Sequence, residues 1–497
     1  MKAIILAAGI GSRLRPATKD KPKCLVKVNG KEILKHQLDA YMKNGISDFV
    51  IITGYEAKKI TDFCKKIPEA NFKFIENDNY ENNNNMFSLY LALNKMEAQE
   101  VFINNADVVI DEEIIGKMVF DERPDLIAVD VGTYDEESMK VTIGEDNHID
   151  SISKQTKKTK ALGRSIDFYK FSKSSFSTIK KHIKNVIEVE KRTKEWTEVA
   201  LNSLFTNRSI SANYLNIKSL RWCEIDNFED LSHADILFSD FSKWKENIKN
   251  FFFDLDGTLY VGNNIVPNAV ETISKLKAKN KNIYYVTNNS STSKREYAER
   301  LQKKGFECTV DDIITSIDGT ISYLKNKNHL KCYICATESV KKEFQENGIL
   351  HTEKNPNSVV ICYDITLTYE KLKECCKLIN NGVPYFATHC DDYCPTEHGP
   401  IPDVGSFIKL IETTTSRSPE KIFGKPSTDI LDTIFKDKNI DKHRSLFVGD
   451  RLHTDIKLAT ALEIKSALVL TGDTKRHELE DTTHSPSVIL PDVSKLI

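Results

Sequence analysis

Midway along the 497-residue chain, the string Phe251-Phe-Phe-Asp254-Leu-Asp256-Gly257-Thr258-Leu-Tyr260 constrains the fold more than any other stretch. An apolar strand here delivers two carboxylates two residues apart, so both point to one side. Gly257 permits the turn that follows them. Three further strings stand downstream in order. Ile283–Asn289 is a strand ending in the hydroxyl of Thr287 and the amide of Asn288. Gly424-Lys425-Pro426 offers a cation, and Ser445–Asp455 is a strand ending in Asp450, with Asp455 behind it. A strand that starts a new core at Phe251 leaves an equally long segment before it. A chain of this length exceeds one hydrophobic core, so two or three domains are expected.

These four strings, in this order, resemble the motifs of the haloacid dehalogenase-like phosphatases. The resemblance implies a doubly wound α/β core over residues 251–497, with an α/β cap inserted at about 325–415. It assigns Asp254 as the nucleophile that becomes an aspartyl-phosphate. Asp256 then protonates the leaving alkoxide and activates water. Thr287, Asn288 and nearby backbone bind the phosphoryl oxygens, and Lys425 neutralises them. Mg2+ is held by Asp254, the Asp256 carbonyl and Asp450, supported by Asp455. Ala387-Thr-His-Cys-Asp-Asp-Tyr-Cys-Pro395, followed by Pro402–Ser406, resembles the NagD/nitrophenyl-phosphatase subfamily. That pattern usually reads Ala-Thr-Asn-x-Asp, so His389 is a departure; Asp391 or Asp392 faces the leaving group. His389, Cys390, Cys394 and His398 are residue types that bind zinc, but their spacing matches no zinc module.

The N-terminal stretch Met1–Val28 has its own logic. Ile4, Ile5 and Leu6 suit a buried strand, and Ala7, Ala8, Gly9, Gly11 and Ser12 follow as a loop of small residues. Backbone N–H groups in such a turn approach a phosphate closely. Arg13, Arg15, Lys19, Lys21 and Lys23 supply charge to neutralise it. The string is neither a Walker loop nor a Rossmann fingerprint. Strand-like and helix-like segments then alternate: a helix at Lys31–Asn44, strands at Asp48–Thr53, Phe72–Glu76 and Val101–Asn105. This argues for a mostly parallel sheet covered by helices, with ligands at the carboxyl ends of its strands. Asp107 sits just past one such end.

Leu6-Ala-Ala-Gly9-x-Gly11-x-Arg13-Leu14-x-Pro16, then Lys21-Pro22-Lys23, resembles the opening of the sugar-phosphate nucleotidyltransferases. The resemblance implies a Rossmann-like sheet whose loop (Leu6, Ala8, Gly9, Gly11, Ser12) wraps a nucleoside triphosphate. Arg13 holds its phosphates, and Lys23 meets the α-phosphate or the attacking phosphate. Asp107 and Asp226, the latter ending Arg221–Asp226, hold Mg2+, with Glu224 as competing ligand. Tyr80–Tyr90, with Asn84 and Ser88, resembles the bacterial phosphocholine cytidylyltransferase branch, whose relatives act on phosphonates and inositol phosphate. CTP is therefore the expected nucleotide. The hairpin flanked by Lys140 and Lys154, the stretch Gly163–Ser172, and Trp196 or Glu198 are the candidates for acceptor binding.

The charged stretch 241–250 reads as a linker between domains 1–240 and 251–497. With 70 basic and 72 acidic residues, the chain shows no polyanion-binding signal, and nucleic acid is not an expected partner. It has no apolar run long enough to insert in a membrane. Eleven cysteines without a regular framework read as reduced thiols of a cytoplasmic protein. A homo-oligomer stays open.

The combined expectation is a bifunctional enzyme. One domain transfers a nucleotidyl group to a small phosphorylated alcohol; the other hydrolyses a phosphate monoester. The alternatives are a sugar-1-phosphate nucleotidyltransferase fused to a sugar phosphatase, and one active domain beside a scaffold. The retention of Lys23, Asp107, Asp254, Asp256, Lys425 and Asp450 speaks against the scaffold.

Overall fold

The structure is a computed structural model that describes residues 1–394, 399–480 and 485–497. The chain divides into two compact units, Met1–Phe238 and Ser239–Ile497.

The first unit is built on a nine-stranded sheet. Lys2–Ala7 lies between Asp48–Thr53 and Val101–Asn105, parallel to both, and Asn71–Glu76 extends the parallel run. Ala3, Ile5 and Ala7 of the first strand face one apolar cluster, and Ile4 and Leu6 face the other. Both faces are covered, which is why the strand reads as a continuous apolar run rather than an alternating one. Fully burying each isoleucine contributes about 2 kcal/mol. Helix Ile33–Lys43 buries Leu34, Leu38 and Tyr41, while Met42 is half-buried.

Beyond Val101–Asn105 the sheet is mainly antiparallel, with Asn213–Asn216 alone running parallel to Leu126–Val131. Gly163–Phe171 pairs with Val101–Asn105, Leu126–Val131 and Lys140–Ile143. Lys140–Ile143 and Ile149–Ser153 form the hairpin, with Asn147 in the left-handed region at φ 61 in its turn. A separate two-stranded ribbon joins Val108–Ile110 to Trp222–Glu224.

In the second unit, six parallel strands take the order Ile313–Thr315, Asn282–Thr287, Asn250–Asp254, Ser445–Gly449, Lys465–Val469, Val488–Leu490. The strand carrying Asp254 is central, between the one ending at Thr287 and the one ending beside Asp450. Chain connections leave a central strand in opposite directions at such a point, and ligands collect at its carboxyl end.

A five-stranded parallel sheet forms the cap: Leu350–His351, Lys331–Cys335, Ser358–Ile361, Tyr385–Ala387, Lys421–Ile422. Its last strand lies past residue 415. The stretch after Ser239 is not extended: Phe241–Trp244 is a short helix, and Lys465 stacks on Trp244. No helix among the described residues is long and apolar enough to cross a membrane.

Candidate active sites

In the first unit, the carboxyl ends of the strands open into a cavity of about 1010 Å³. The loop after Lys2–Ala7 forms one wall. Gly11 has φ 67, and a Cβ there would stand 2.8 Å from Cβ of Lys23, so only glycine lets the loop and Lys23 close on each other. Thr18 Oγ1 donates to Gly11 O at 2.8 Å and ties the loop's far end down.

Lys23 Nζ lies 2.8 Å from Asp107 Oδ2 and 2.8 Å from Asp226 Oδ1. Arg13 Nη2 reaches Asp226 Oδ2 at 3.0 Å. Three devices bring the distant acids together and hold them. Gln37 Nε2 donates to the carbonyls of Asn105 and Val108, pinning the turn that carries Asp107. Ile225 N donates to Asp107 O at 2.9 Å, stitching the second acidic segment to the first. Asp230, in the capping box of helix Phe228–Leu237, accepts the backbone N–H of Asp226.

Burial works against the Lys23 charge, but Asp107 and Asp226 outweigh it and hold its pKa above the usual value. Burial pushes at Asp226 too, yet Lys23 and Arg13 keep its carboxyl low. Glu224 joins the same acidic group. Burial, then Asp107, Asp167 and Asp226, push it up to about 8. Asp107 Oδ1 is buried without a hydrogen-bond partner. An oxygen-only donor set with one unspent carboxylate oxygen fits a hard divalent cation such as Mg2+.

Leu6, Ala8, Gly9, Gly11, Ser12, Arg13, Asn84, Ser88, Lys154 and Glu198 all line this cavity. Their surroundings qualify the expected roles. Asn84 caps helix Asn85–Asn94, and Ser88 accepts from Asn77 Nδ2. Lys154 lies over the Trp196 ring at 4.6 Å, and Arg164 over Trp222 at 4.8 Å, so cations of the chain already cover both indoles. Lys140 departs from the expectation: it is buried, its Nζ donates to the carbonyls of Glu136 and Asp135, and it does not line the cavity. A lysine at the start of a hairpin strand points to either face, and here it points inward.

The sequence reading missed Asp167. Between Ser165 and Tyr169 the long strand slips register, and Asp167 sits there at φ 58. It accepts from Asn105 Nδ2 and Tyr169 Oη, and Tyr169 Oη also contacts buried Glu198 at 2.8 Å. Burial, then Glu198, raise Asp167 far above the ordinary carboxylate range. The available signal was an Asp between apolar strand residues, a type that tolerates left-handed backbone.

In the second unit, Asp254, Asp256, Thr287, Asn288 and Lys425 line one cavity of about 40 Å³. Lys425, fully enclosed, pairs with Asp254 Oδ1 and, at 2.8 Å, with Asp455 Oδ1. Burial pushes Asp254 up to about 7; Lys425 opposes this and Asp455 adds to it. Asp455 also accepts Arg451 N, which makes it the anchor of Lys425 and of the turn after Asp450. Asn288 is spent on position: its side chain accepts from Lys425 N at 2.6 Å and donates to Lys425 O at 3.0 Å.

Asp254, Asp450 and Asp455 form an acidic group. Asp450 accepts the backbone N–H of Asp473 through Oδ2, while its buried Oδ1 has no hydrogen-bond partner, again a donor fit for Mg2+. A Cβ on Gly257 would stand 2.3 Å from Asp450 Oδ2, so the turn after Asp256 admits only glycine. Among the described residues, the zinc-type side chains do not assemble. Cys390 is exposed, and His389 instead gathers Asp391 and Asp403; His398 lies outside the described residues.

Comparison with known proteins matches this division. A nucleotidyl transferase family model covers residues 2–233. A haloacid dehalogenase-like hydrolase model covers 251–350, and a HAD-hydrolase-like model covers 422–496. The 5'-nucleotidase YutF of Bacillus subtilis is 30% identical over 250 residues, 50% of this chain and 97% of that protein. Sugar-phosphatase AraL of the same organism is 30% identical over 249 residues, 49% of this chain and 91% of that protein. The solved 4-nitrophenylphosphatase of Thermotoga maritima is 38% identical over 51% of this chain and 97% of its own, with a TM-score of 0.49.

Fold and sites together define a nucleotidyltransferase joined to a phosphatase in one polypeptide. More narrowly, the second unit makes the chain a member of the haloacid dehalogenase-like hydrolase family.

Proposed function

We propose that the first unit transfers CMP from CTP to a small phosphorylated alcohol, such as phosphocholine, glycerol phosphate or inositol phosphate, releasing pyrophosphate. The observation that carries this reading is Lys23 between Asp107 and Asp226, packed against the glycine loop in the lining of the large cavity. In-line attack of one phosphate on another brings two anions together, so cations must be aimed where negative charge develops. Lys23 and Arg13 are such cations, and Gly11 lets the loop approach the triphosphate. Lys154 and Arg164, spread over Trp196 and Trp222, suit the acceptor's phosphate.

The second unit hydrolyses a phosphate monoester. Asp254 attacks phosphorus, the ester P–O bond breaks, and Asp256 gives its proton to the departing alkoxide. Asp256 then takes a proton from water as that water attacks the aspartyl-phosphate, returning Asp254 and inorganic phosphate. Lys425 neutralises the nucleophile and the phosphoryl oxygens. Burial raises the Asp256 carboxyl, as suits a group that first donates a proton. Mg2+, held by Asp107 and Asp226 in one unit and by Asp254, Asp450 and the Asp256 carbonyl in the other, supplies further charge neutralisation. The named relatives span a 5'-nucleotidase and a sugar phosphatase, so monoester hydrolysis is what they share.

The test is pyrophosphate release with Mg2+, each nucleoside triphosphate in turn, and a panel of phospho-alcohols and hexose-1-phosphates. Asp254→Asn protein keeps the second unit from consuming the acceptors. Turnover with CTP and one small phospho-alcohol is expected. Turnover confined to a hexose-1-phosphate would make the first unit a sugar nucleotidyltransferase instead.

A further inference from the structure

The cap brings one imidazole and two carboxylates together beside the phosphatase cavity. His389 lies just past the cap strand Tyr385–Ala387, and Asp403 stands at the start of helix Val404–Thr415. Two backbone hydrogen bonds stitch these segments: Gly405 N donates to Asp391 O at 2.8 Å, and Asp403 N to Asp392 O at 3.2 Å. A Cβ on Gly405 would stand 2.5 Å from Cys390 O, so only glycine lets the helix start press this close. One ligand-capable atom from each of His389, Asp391 and Asp403 then lies within 4.8 Å of the other two.

The imidazole turns two acids into a ligand set. His389 is wholly buried, yet its Nε2 has no hydrogen-bond partner. Asp403 Oδ1 stands 3.4 Å from it. That distance is long for a hydrogen bond. It suits two ligands of one ion, because donors about 2.1 Å from zinc at a tetrahedral angle stand about 3.4 Å apart. Nδ1 accepts the Asp391 N–H at 3.4 Å, also a long contact. With a cation on Nε2, the ring proton moves to Nδ1, which gives up that contact and faces Asp391 Oδ2 at 3.7 Å. Ligating histidines commonly turn their second N–H to a carboxylate.

Donor type selects the ion. Asn288 Nδ2 donates to Asp391 Oδ2 at 3.2 Å, and Arg451 Nη1 faces the same oxygen at 3.7 Å. The guanidinium weakens the pull of Asp391 on any cation, so charge alone does not fill the site and nitrogen coordination must contribute. Imidazole favours borderline ions such as Zn2+ and Co2+. Mg2+ goes instead to the oxygen-only group of Asp254, Asp450 and Asp455. Asp391 and Asp403 also line the cavity of about 40 Å³ that holds Asp254, Asp256 and Lys425. Such a volume holds roughly three water-sized groups, so an ion with its waters takes the place of the leaving alcohol.

We propose that His389, Asp391 and Asp403 form a second cation site of this unit, taking a borderline divalent metal such as Zn2+, and that its occupation closes the cavity to substrate. The binding stands on these side chains alone; the closure rests on the phosphatase reading of this unit.

The binding test is proton NMR of the full chain loaded with Co2+ in excess Mg2+. High-spin Co2+ moves the N–H proton of a bound imidazole far outside the ordinary spectrum, and among the described residues the other two acidic groups contain no histidine. One such exchangeable signal is expected in wild type and in Asp254→Asn. None is expected in His389→Asn, which restores the residue usual in the subfamily. Asp403→Asn keeps a helix-capping oxygen and is expected to need at least tenfold more Co2+ for the same signal. No signal in wild type, its loss in Asp254→Asn, or its survival in His389→Asn would overturn the site. The closure test is phosphate release from 4-nitrophenyl phosphate in saturating Mg2+. Zn2+ is expected to inhibit wild type at a concentration at least tenfold below that needed for His389→Asn. Equal inhibition of the two would overturn the closure. No hydrolysis before Zn2+ is added would overturn the phosphatase reading, and the Co2+ signal would still decide the site.

Discussion

At the scale of single residues, both centres use one lysine to hold two acids, and each lysine can be removed without touching the other unit. Lys23→Ala removes the cation between Asp107 and Asp226. Loss of a charge aimed at the developing anion is expected to lower nucleotidyl transfer roughly 100- to 1000-fold. The hydrolysis rate, read from phosphate release in the same preparation, stays at the wild-type level.

Glu343 offers a pH test away from either centre. Burial pushes it up to about 7, and its Oε2 accepts Lys294 N at 3.0 Å. A carboxyl with a raised folded pKa favours the native state below its unfolded pKa. That contribution is lost as pH climbs from the ordinary glutamate value through about 7. Glu343→Gln keeps an acceptor oxygen and cannot ionise. Its melting temperature relative to wild type should therefore rise between pH 5 and pH 8. A difference that is flat or falling with pH would show that the half-buried Glu343 carboxyl is not held up in the folded state.

At the scale of elements, the strand Gly163–Phe171 is the most informative. Its register slip places Asp167 at φ 58, where a left-handed backbone costs an ordinary residue roughly 1–2 kcal/mol. Asp167→Asn suits that backbone and is expected to melt within a few degrees of wild type. Asp167→Val adds a β-branched side chain and should melt markedly lower, as thermal denaturation of the two proteins would show.

This strand also marks how far sequence reading reaches. The apolar stretches within Lys2–Ala7, Asp48–Thr53 and Val101–Asn105 announce themselves, because a strand covered on both faces is apolar on both. The strings around Asp254, Thr287, Lys425 and Asp450 carry their chemistry in side chains and are legible one by one. A register slip is not, because it depends on the partner strand rather than on local composition. Lys140 shows the same limit: nothing in its neighbours says that Nζ turns inward to two carbonyls. The approach of His389 Nε2 to within 3.4 Å of Asp403 Oδ1 brings together cap segments that the sequence keeps apart, so only the fold reveals it.

At the scale of the whole molecule, joining the two activities imposes a condition. A phosphatase that preferred the transferase's acceptor would drain it before transfer. The best acceptor of the first unit is therefore expected to be a poor substrate of the second. Preincubating that acceptor with wild-type protein, before CTP is added, should leave pyrophosphate release close to that of Asp254→Asn protein. A sharp loss would show that the two units compete.

Two independent phosphoryl-transfer centres on one chain, one at Lys23, Asp107 and Asp226, the other at Asp254 and Lys425, make a direct prediction. A 31P NMR time course with CTP, the best phospho-alcohol acceptor and a separate phosphate monoester tests it most directly, run on wild type, Lys23→Ala and Asp254→Asn. Wild type should give a new diphosphate diester, pyrophosphate and inorganic phosphate. Lys23→Ala should give inorganic phosphate alone, and Asp254→Asn the diester with pyrophosphate alone. Loss of all products in either variant, or diester formed by Lys23→Ala at the wild-type rate, would contradict two independent centres.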